Sequence, residues 1–185
     1  VRDLHEGTVR TPGAPPSSFS DDPLRMMRAA RFASQLGVTV APEVFEAMKD
    51  MAGRIEIISA ERVRDELVKL INGKTPADGV YLLVESGLAE YVLPEVAALR
   101  LEIDEHHRHK DVYQHSLTVL RQACDLETGP EGEVPAPDFV LRFAALMHDV
   151  GKPATRRFEG TGAVSFLHHD VVGAKLTAKR MKALR

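Results

Sequence analysis

The sequence holds a single cysteine, Cys124, among its 185 residues. One thiol excludes an intramolecular disulfide and any zinc site built from several cysteines, and it fits a reducing compartment, the cytoplasm. No apolar run approaches the ~20 residues that span a bilayer, and the N-terminal residues show no secretory-leader pattern. A membrane is therefore not an expected partner. No alternation of apolar and polar residues is long enough to read as a strand, and there is no internal repeat. Basic charge is not in excess: 24 Lys and Arg face 27 Asp and Glu, a formal net charge of -3. Bulk electrostatics will not draw this chain onto nucleic acid, so any RNA contact must come from local clusters. An initiator methionine is missing, and the last residues, "GAKLTAKRMKALR", still follow a helical pattern. The expectation is a piece of a longer protein.

What is present is a succession of helix signals. Residues 1–20 carry Pro, Gly and Ser without periodicity and read as a linker. Asp22 is placed to cap a helix with Pro23 at its first position, and Gly37 to end it. Pro42 to Ala52 reads as a short helix with Val44, Phe45, Met48 and Met51 turned inward. Ser59 is expected to cap the next, whose Val63, Leu67 and Leu70 recur at helical spacing. Thr75-Pro76 begins another, which Gly87 terminates. Asp111 to Leu126 is amphipathic, Pro137 to Val150 is apolar enough to be buried on most sides, and Val171 to Leu184 closes the chain. The class is all-α.

Two stretches carry chemistry. In "LMHDVGKPATR", His148 and Asp149 stand where a helix runs out into glycine. Neighbours on a helix lie about 100° apart, but at a frayed C-terminus both side chains can bend toward one ion. A carboxylate there opposes the negative helix end, so a cation, or Lys152, should offset it. Imidazole and carboxylate together suit Mn, Fe, Ni, Zn or Mg-like ions. The plainer alternatives are a capping histidine, a solvated acid and a surface lysine. His115 and His169 are the further candidate ligands. In "SDDPLRMMRAARF", Asp22 and Arg25 stand about one helical turn apart. A carboxylate acceptor and a guanidinium fork complement the Watson–Crick edges of C and A, each of which offers an amine donor and a ring-nitrogen acceptor. Arg28 and Arg31 extend the basic strip, with Leu24, Met27 and Phe32 expected behind it. The alternative is a capped helix with a solvated arginine face.

"KDVYQHSLTVL", "FAALMHDVGKP" and "FLHHDVVGA" together resemble the HD metal-dependent phosphohydrolase superfamily. The resemblance implies His115, His148 and Asp149 as the first three ligands of a divalent metal and His169 as an additional histidine. No residue before Arg185 matches the final aspartate, since Asp170 comes too early. "DDPLRMMRAARFASQLG" resembles the [ED]-D-x-x-R motif of bacterial CCA-adding tRNA nucleotidyltransferases and their poly(A) polymerase relatives. That resemblance implies Asp21 at the variable acid position, with Asp22 and Arg25 as the protein template for CTP or ATP. Arg28 joins them as nucleotide-binding. "ISAERVRDELVKLI" resembles the family's neck, which supports the templating helix, and many members carry an HD domain next.

The implied organisation is a linker from a missing head over 1–20, a helical neck over 21–105, and an HD domain over 106–185, truncated at its C-terminus. The family's Gly-rich catalytic head with two Mg2+-binding aspartates has no match here. This piece is therefore not expected to add nucleotides alone. The implied partners are tRNA, CTP and ATP. CCA addition, A addition and poly(A) synthesis share the templating helix and stay open. So does a different reading, a metal-dependent phosphohydrolase acting on nucleotides or RNA ends. "HHRHK" at 106–110 reads as a hydrated turn, and the acid pair Glu102 and Asp104 not as a two-metal site.

Overall fold

A computed structural model describes residues 5–101, 112–127, 136–158, 160 and 164–185. The fold is all-α, as expected. A two-residue strand β1 (Thr8–Val9) precedes α1 (Pro15–Asp21) and α2 (Leu24–Leu36). Strand β2 (Thr39–Val40) pairs parallel with β1, Thr8 opposite Thr39 and Val9 opposite Val40. Helix α3 (Pro42–Met51) leads through a 3-10 turn (Ala52–Ile57) into α4 (Ala60–Ile71) and α5 (Pro76–Glu85). Two single turns, α6 (Ala89–Val92) and α7 (Pro94–Ala97), end in a 3-10 turn (Ala98–Leu101). Then come α8 (Val112–Asp125), α9 (Phe139–Met147), α10 (Lys152–Thr155), an antiparallel pair β3 (Arg157–Phe158) and β4 (Val164–Ser165), and α11 (His169–Ala183).

The punctuation has physical causes. Pro42, Pro76 and Pro94 each occupy a first helical position, where the missing N–H costs nothing. Gly37 and Gly87 take φ values of 66° and 79°, which a Cβ would disfavour. Asp22 is extended and its Oδ1 accepts from the Leu24 amide at 3.2 Å, but α2 starts one residue later than expected, with Pro23 rather than Asp22 at the cap position. Ser59 precedes α4 without a side-chain capping bond.

Helix α2 lies against α4 and α5, and α9 against α8. One continuous apolar core runs from Phe19 through Met26, Leu70 and Leu83 to Leu117, Leu146 and Leu184. Three expectations change. Residues 15–20, read as linker, belong to a helix, Pro15–Asp21, because Phe19 is fully buried. Phe32 does not pack behind the arginine strip; it is 40% exposed, with the Arg31 guanidinium 3.9 Å over its ring. Helix α9 is two-sided rather than buried on most sides: Val140 is 76% exposed, while Phe143, Leu146 and the charged Arg142 are buried.

Candidate functional site

The first candidate site is the start of α2. Asp22 and Arg25 flank its first turn, the Arg25 amide donating to the Asp22 carbonyl at 3.0 Å while their side chains turn to different neighbours. The Asp22 carboxylate faces α4, where Arg62 Nη2 lies 3.2 Å from Oδ2 and 3.5 Å from Oδ1. Arg28 Nη1 stands 3.9 Å from the same Oδ2. Arg25 faces α1 instead, and its Nη1 donates to Ser18 Oγ at 3.0 Å and to the Ser18 carbonyl at 3.2 Å. Asp21, mostly exposed, lies 4.0 Å from that guanidinium. Beneath this edge, the nearly buried Glu66 of α4 pairs with Arg31 at 2.6 Å and with Arg28 at 3.5 Å. A charged seam therefore fixes α2 on α4, and the "ERVRDE" segment supplies both Arg62 and Glu66. Neither was singled out from the sequence; their spacing, one helical turn apart on α4, was the available signal.

A cavity of about 220 Å3 opens beside this edge, walled by Arg25, Arg28, Ser18, Phe32 and Val44. Asp22 is not among its walls. Each group keeps unused capacity: a carboxylate offers roughly four lone-pair sites and a guanidinium five N–H donors.

The second candidate site gathers at the end of α9. Asp149 is 2% exposed. Its Oδ2 lies 3.1 Å from His148 Nε2, 3.1 Å from Lys152 Nζ and 4.0 Å from His115 Nε2. Its Oδ1 lies 3.6 Å from His169 Nε2. The donor atoms of His115, His148 and Asp149 lie within 4.8 Å of one another. Two of the histidines are aimed by their own backbone. His148 Nδ1 sits 2.8 Å from the Ala145 carbonyl, and His169 Nδ1 2.8 Å from the Phe166 carbonyl. A carbonyl can only accept, so Nδ1 carries the proton and Nε2 is turned to the carboxylate. In the neutral ring that nitrogen presents a lone pair, which repels Asp149 unless positive charge lies between them.

Lys152 supplies part of that charge. It is not a surface lysine: it is 8% exposed, and its ammonium lies 5.5 Å over the Phe166 ring. Burial pushes the Asp149 carboxyl up, but the adjacent His148 and Lys152 outweigh it and hold it at about 2. His148 is raised, chiefly by the adjacent Asp149 carboxylate. Even so, Asp149 Oδ2 is shielded from solvent with no aligned hydrogen-bond donor among the described residues. An orphaned, ionised oxygen beside imidazole nitrogens is what a divalent cation satisfies, so the residues fit a metal.

Gly151 brings this cluster together. A Cβ there would stand 2.0 Å from the His169 carbonyl oxygen and 2.6 Å from the Gly173 nitrogen. Gly151 is the residue before α10, and only glycine lets the chain there approach the start of α11 closely enough to set His169 beside Asp149. Asp170 is exposed, in the first turn of α11. Glu102, Asp104 and the 106–110 histidine run lie outside the described residues. Tyr113 is 1% exposed and packs in the core, whereas Tyr91 is 41% exposed.

Residues 37–99 match the family described as "Probable RNA and SrmB- binding site of polymerase A", and residues 112–185 match the HD domain. An A-adding tRNA nucleotidyltransferase of Deinococcus radiodurans is 38% identical over 170 residues, covering 89% of this chain and 38% of its own length. A multifunctional CCA protein of Teredinibacter turnerae is 37% identical, covering 83% of this chain and 36% of its own. The chain thus spans under two-fifths of these relatives. A solved Bacillus stearothermophilus CCA-adding enzyme in complex with CTP aligns over 98% of this chain and 52% of its own, at 24% identity and a TM-score of 0.46.

Proposed function

This chain belongs to the bacterial CCA-adding tRNA nucleotidyltransferase and poly(A) polymerase family, and from that membership we propose that it forms the neck and HD portion of an enzyme extending tRNA 3′ ends from CTP and ATP. Residues 21–105 serve as the neck and 106–185 as the HD domain. Nucleotidyl transfer itself, with its Mg2+, belongs to a catalytic head outside this sequence.

In this reading Asp22 accepts from the exocyclic amine of cytosine or adenine, and Arg25 donates to the ring nitrogen. Asp21 and Arg28 stand beside them at the nucleotide. The carrying observation is the cavity next to Arg25 and Arg28, with α2 braced on α4 through Arg62 and Glu66. For a base to be read by both groups, Asp22 shares its carboxylate with Arg62, and Arg25 turns some of its donors away from Ser18. The test is nucleotide selectivity in the full-length protein. Arg25→Ala should erase the preference for CTP and ATP over GTP and UTP, by at least about tenfold for the loss of one good bidentate contact. Unchanged selectivity would remove the templating role.

The orphaned Asp149 oxygen favours a second activity on the same chain, hydrolysis of a phosphoester at the HD cluster. His115, His148 and Asp149 would hold a divalent metal, with His169 alongside. Such an ion lowers the pKa of a bound water and polarises a phosphoryl oxygen. Lys152 keeps the Asp149 carboxylate ionised, and the backbone bonds of His148 and His169 hold Nε2 toward the site. Metal analysis after purification should find about one divalent ion per chain and its loss in Asp149→Ala. Equal metal content in both would refute the assignment.

A further inference from the structure

Helix α11 departs from the charge pattern of an exposed helix. At 100° per residue, Lys175, Lys179 and Lys182 fall within about 60° of one another and span ~10 Å of the axis. All three are exposed. Among the described residues, none lies within ion-pair distance of a carboxylate. Arg180, on another face, is held by Glu95 at 2.9 Å. Solvated helices usually interleave acids with lysines at i and i+4, and like charges at that spacing repel. Here the one acid of the helix is Asp170, at its start. The helix dipole favours cations in the last turn, which accounts for Lys182 but not for Lys175 in the first half. Burial compensates little, since Gly173 is the residue this helix buries. Nor is the stripe a general excess of basic charge, because the chain's net charge is -3.

We propose that this stripe is a track for the phosphate backbone of RNA, separate from the templating helix α2. Ammonium groups are point charges that position a phosphate chain without reading its sequence. The N-terminal end of the same helix carries His169, 3.6 Å from Asp149, about 120° around the axis from the stripe. The inference rests on RNA being the partner class, as proposed above, but not on the templating role of Asp22 and Arg25.

The experiment measures anisotropy of fluorescently labelled bulk bacterial tRNA with this 185-residue chain across roughly 50–200 mM salt. It compares the chain with its Lys175→Gln, Lys179→Gln, Lys182→Gln variant, the helical circular dichroism of each confirming the fold. Three lost phosphate contacts should flatten the slope of log K against log salt by about 2–3 and weaken binding at least about tenfold at low salt. Identical slopes overturn the track while leaving the RNA reading standing. Absence of tRNA binding by the unaltered chain overturns both. Phosphatidylglycerol vesicles are titrated in parallel, and binding to them as tight as to tRNA overturns RNA as the occupant.

Discussion

Arg142 and Glu127 form the most buried ion pair among the described residues, with side chains 7% and 3% exposed and Nη2 2.6 Å from Oε2. The Arg142 Nε donates to the other carboxylate oxygen at 2.7 Å, so the pair is bidentate. Bonding to Arg142 holds the Glu127 carboxyl below its ordinary 4.5, against the upward push of burial. A carboxyl lowered by folding contributes stability above its unfolded pKa and loses it as pH falls through the folded value. Glu127→Gln should therefore flatten the acid limb of the stability curve below about pH 4.5. At neutral pH it should cost about 3–5 kcal/mol, because a buried guanidinium is left unpaired. Urea unfolding of both proteins across pH checks both parts; parallel acid limbs would contradict the linkage. His148, Asp149, Asp22 and Arg25 are legible in the sequence because each belongs to a spaced motif. The Arg142–Glu127 pair is not, because Glu127 lies at the edge of a Pro/Gly loop. The readable sign was a lone arginine inside an apolar helix, which a buried charge demands be partnered.

At the scale of elements, Pro and Gly punctuation makes most helices legible in the sequence. Helix α1 is not legible there, since "PPSSFSD" has no apolar stripe and is held by one side chain, Phe19. The two-sidedness of α9 is also hidden, because the exposed Val140 is apolar while the charged Arg142 is buried. The approach of Gly151, at the start of α10, to α11 depends on backbone proximity that no periodicity reports. It yields a direct consequence. Gly151→Ala places a methyl where the His169 carbonyl and Gly173 nitrogen now sit, and neither backbone atom can turn aside. The start of α11 must retreat, taking His169 from Asp149. Expected results are a loss of about 1–3 kcal/mol from overpacking and weaker binding of divalent metal by calorimetric titration. Gly160→Ala, where an added Cβ meets nothing within 4 Å, is the matched control. Equal metal affinity in the two variants would show that α11 does not set the cluster.

For the whole molecule, the two family matches divide the chain near residues 99 and 112, yet the packing does not follow that division. The apolar core is continuous from Phe19 to Leu184. Arg142 Nη1 donates to the carbonyls of Ile71 and Gly73 at 2.9 and 2.7 Å, satisfying groups at the C-terminal end of α4 that would otherwise be buried and unpaired. An ion pair, Arg180 with Glu95 at 2.9 Å, fastens the last helix to α7. Losing either part would expose core surface of the other, and surface shared in this manner makes unfolding cooperative. Amide hydrogen exchange in rising denaturant should therefore release α5, in the neck, and α8, in the HD segment, at the same midpoint. Arg142→Ala removes the donor to the α4 carbonyls and the guanidinium beside Glu127 together, so it should separate the two midpoints, with α8 and α9 opening first. If the unaltered chain already releases α8 well before α5, the neck and HD segments are energetically independent, and the shared core is contact without coupling.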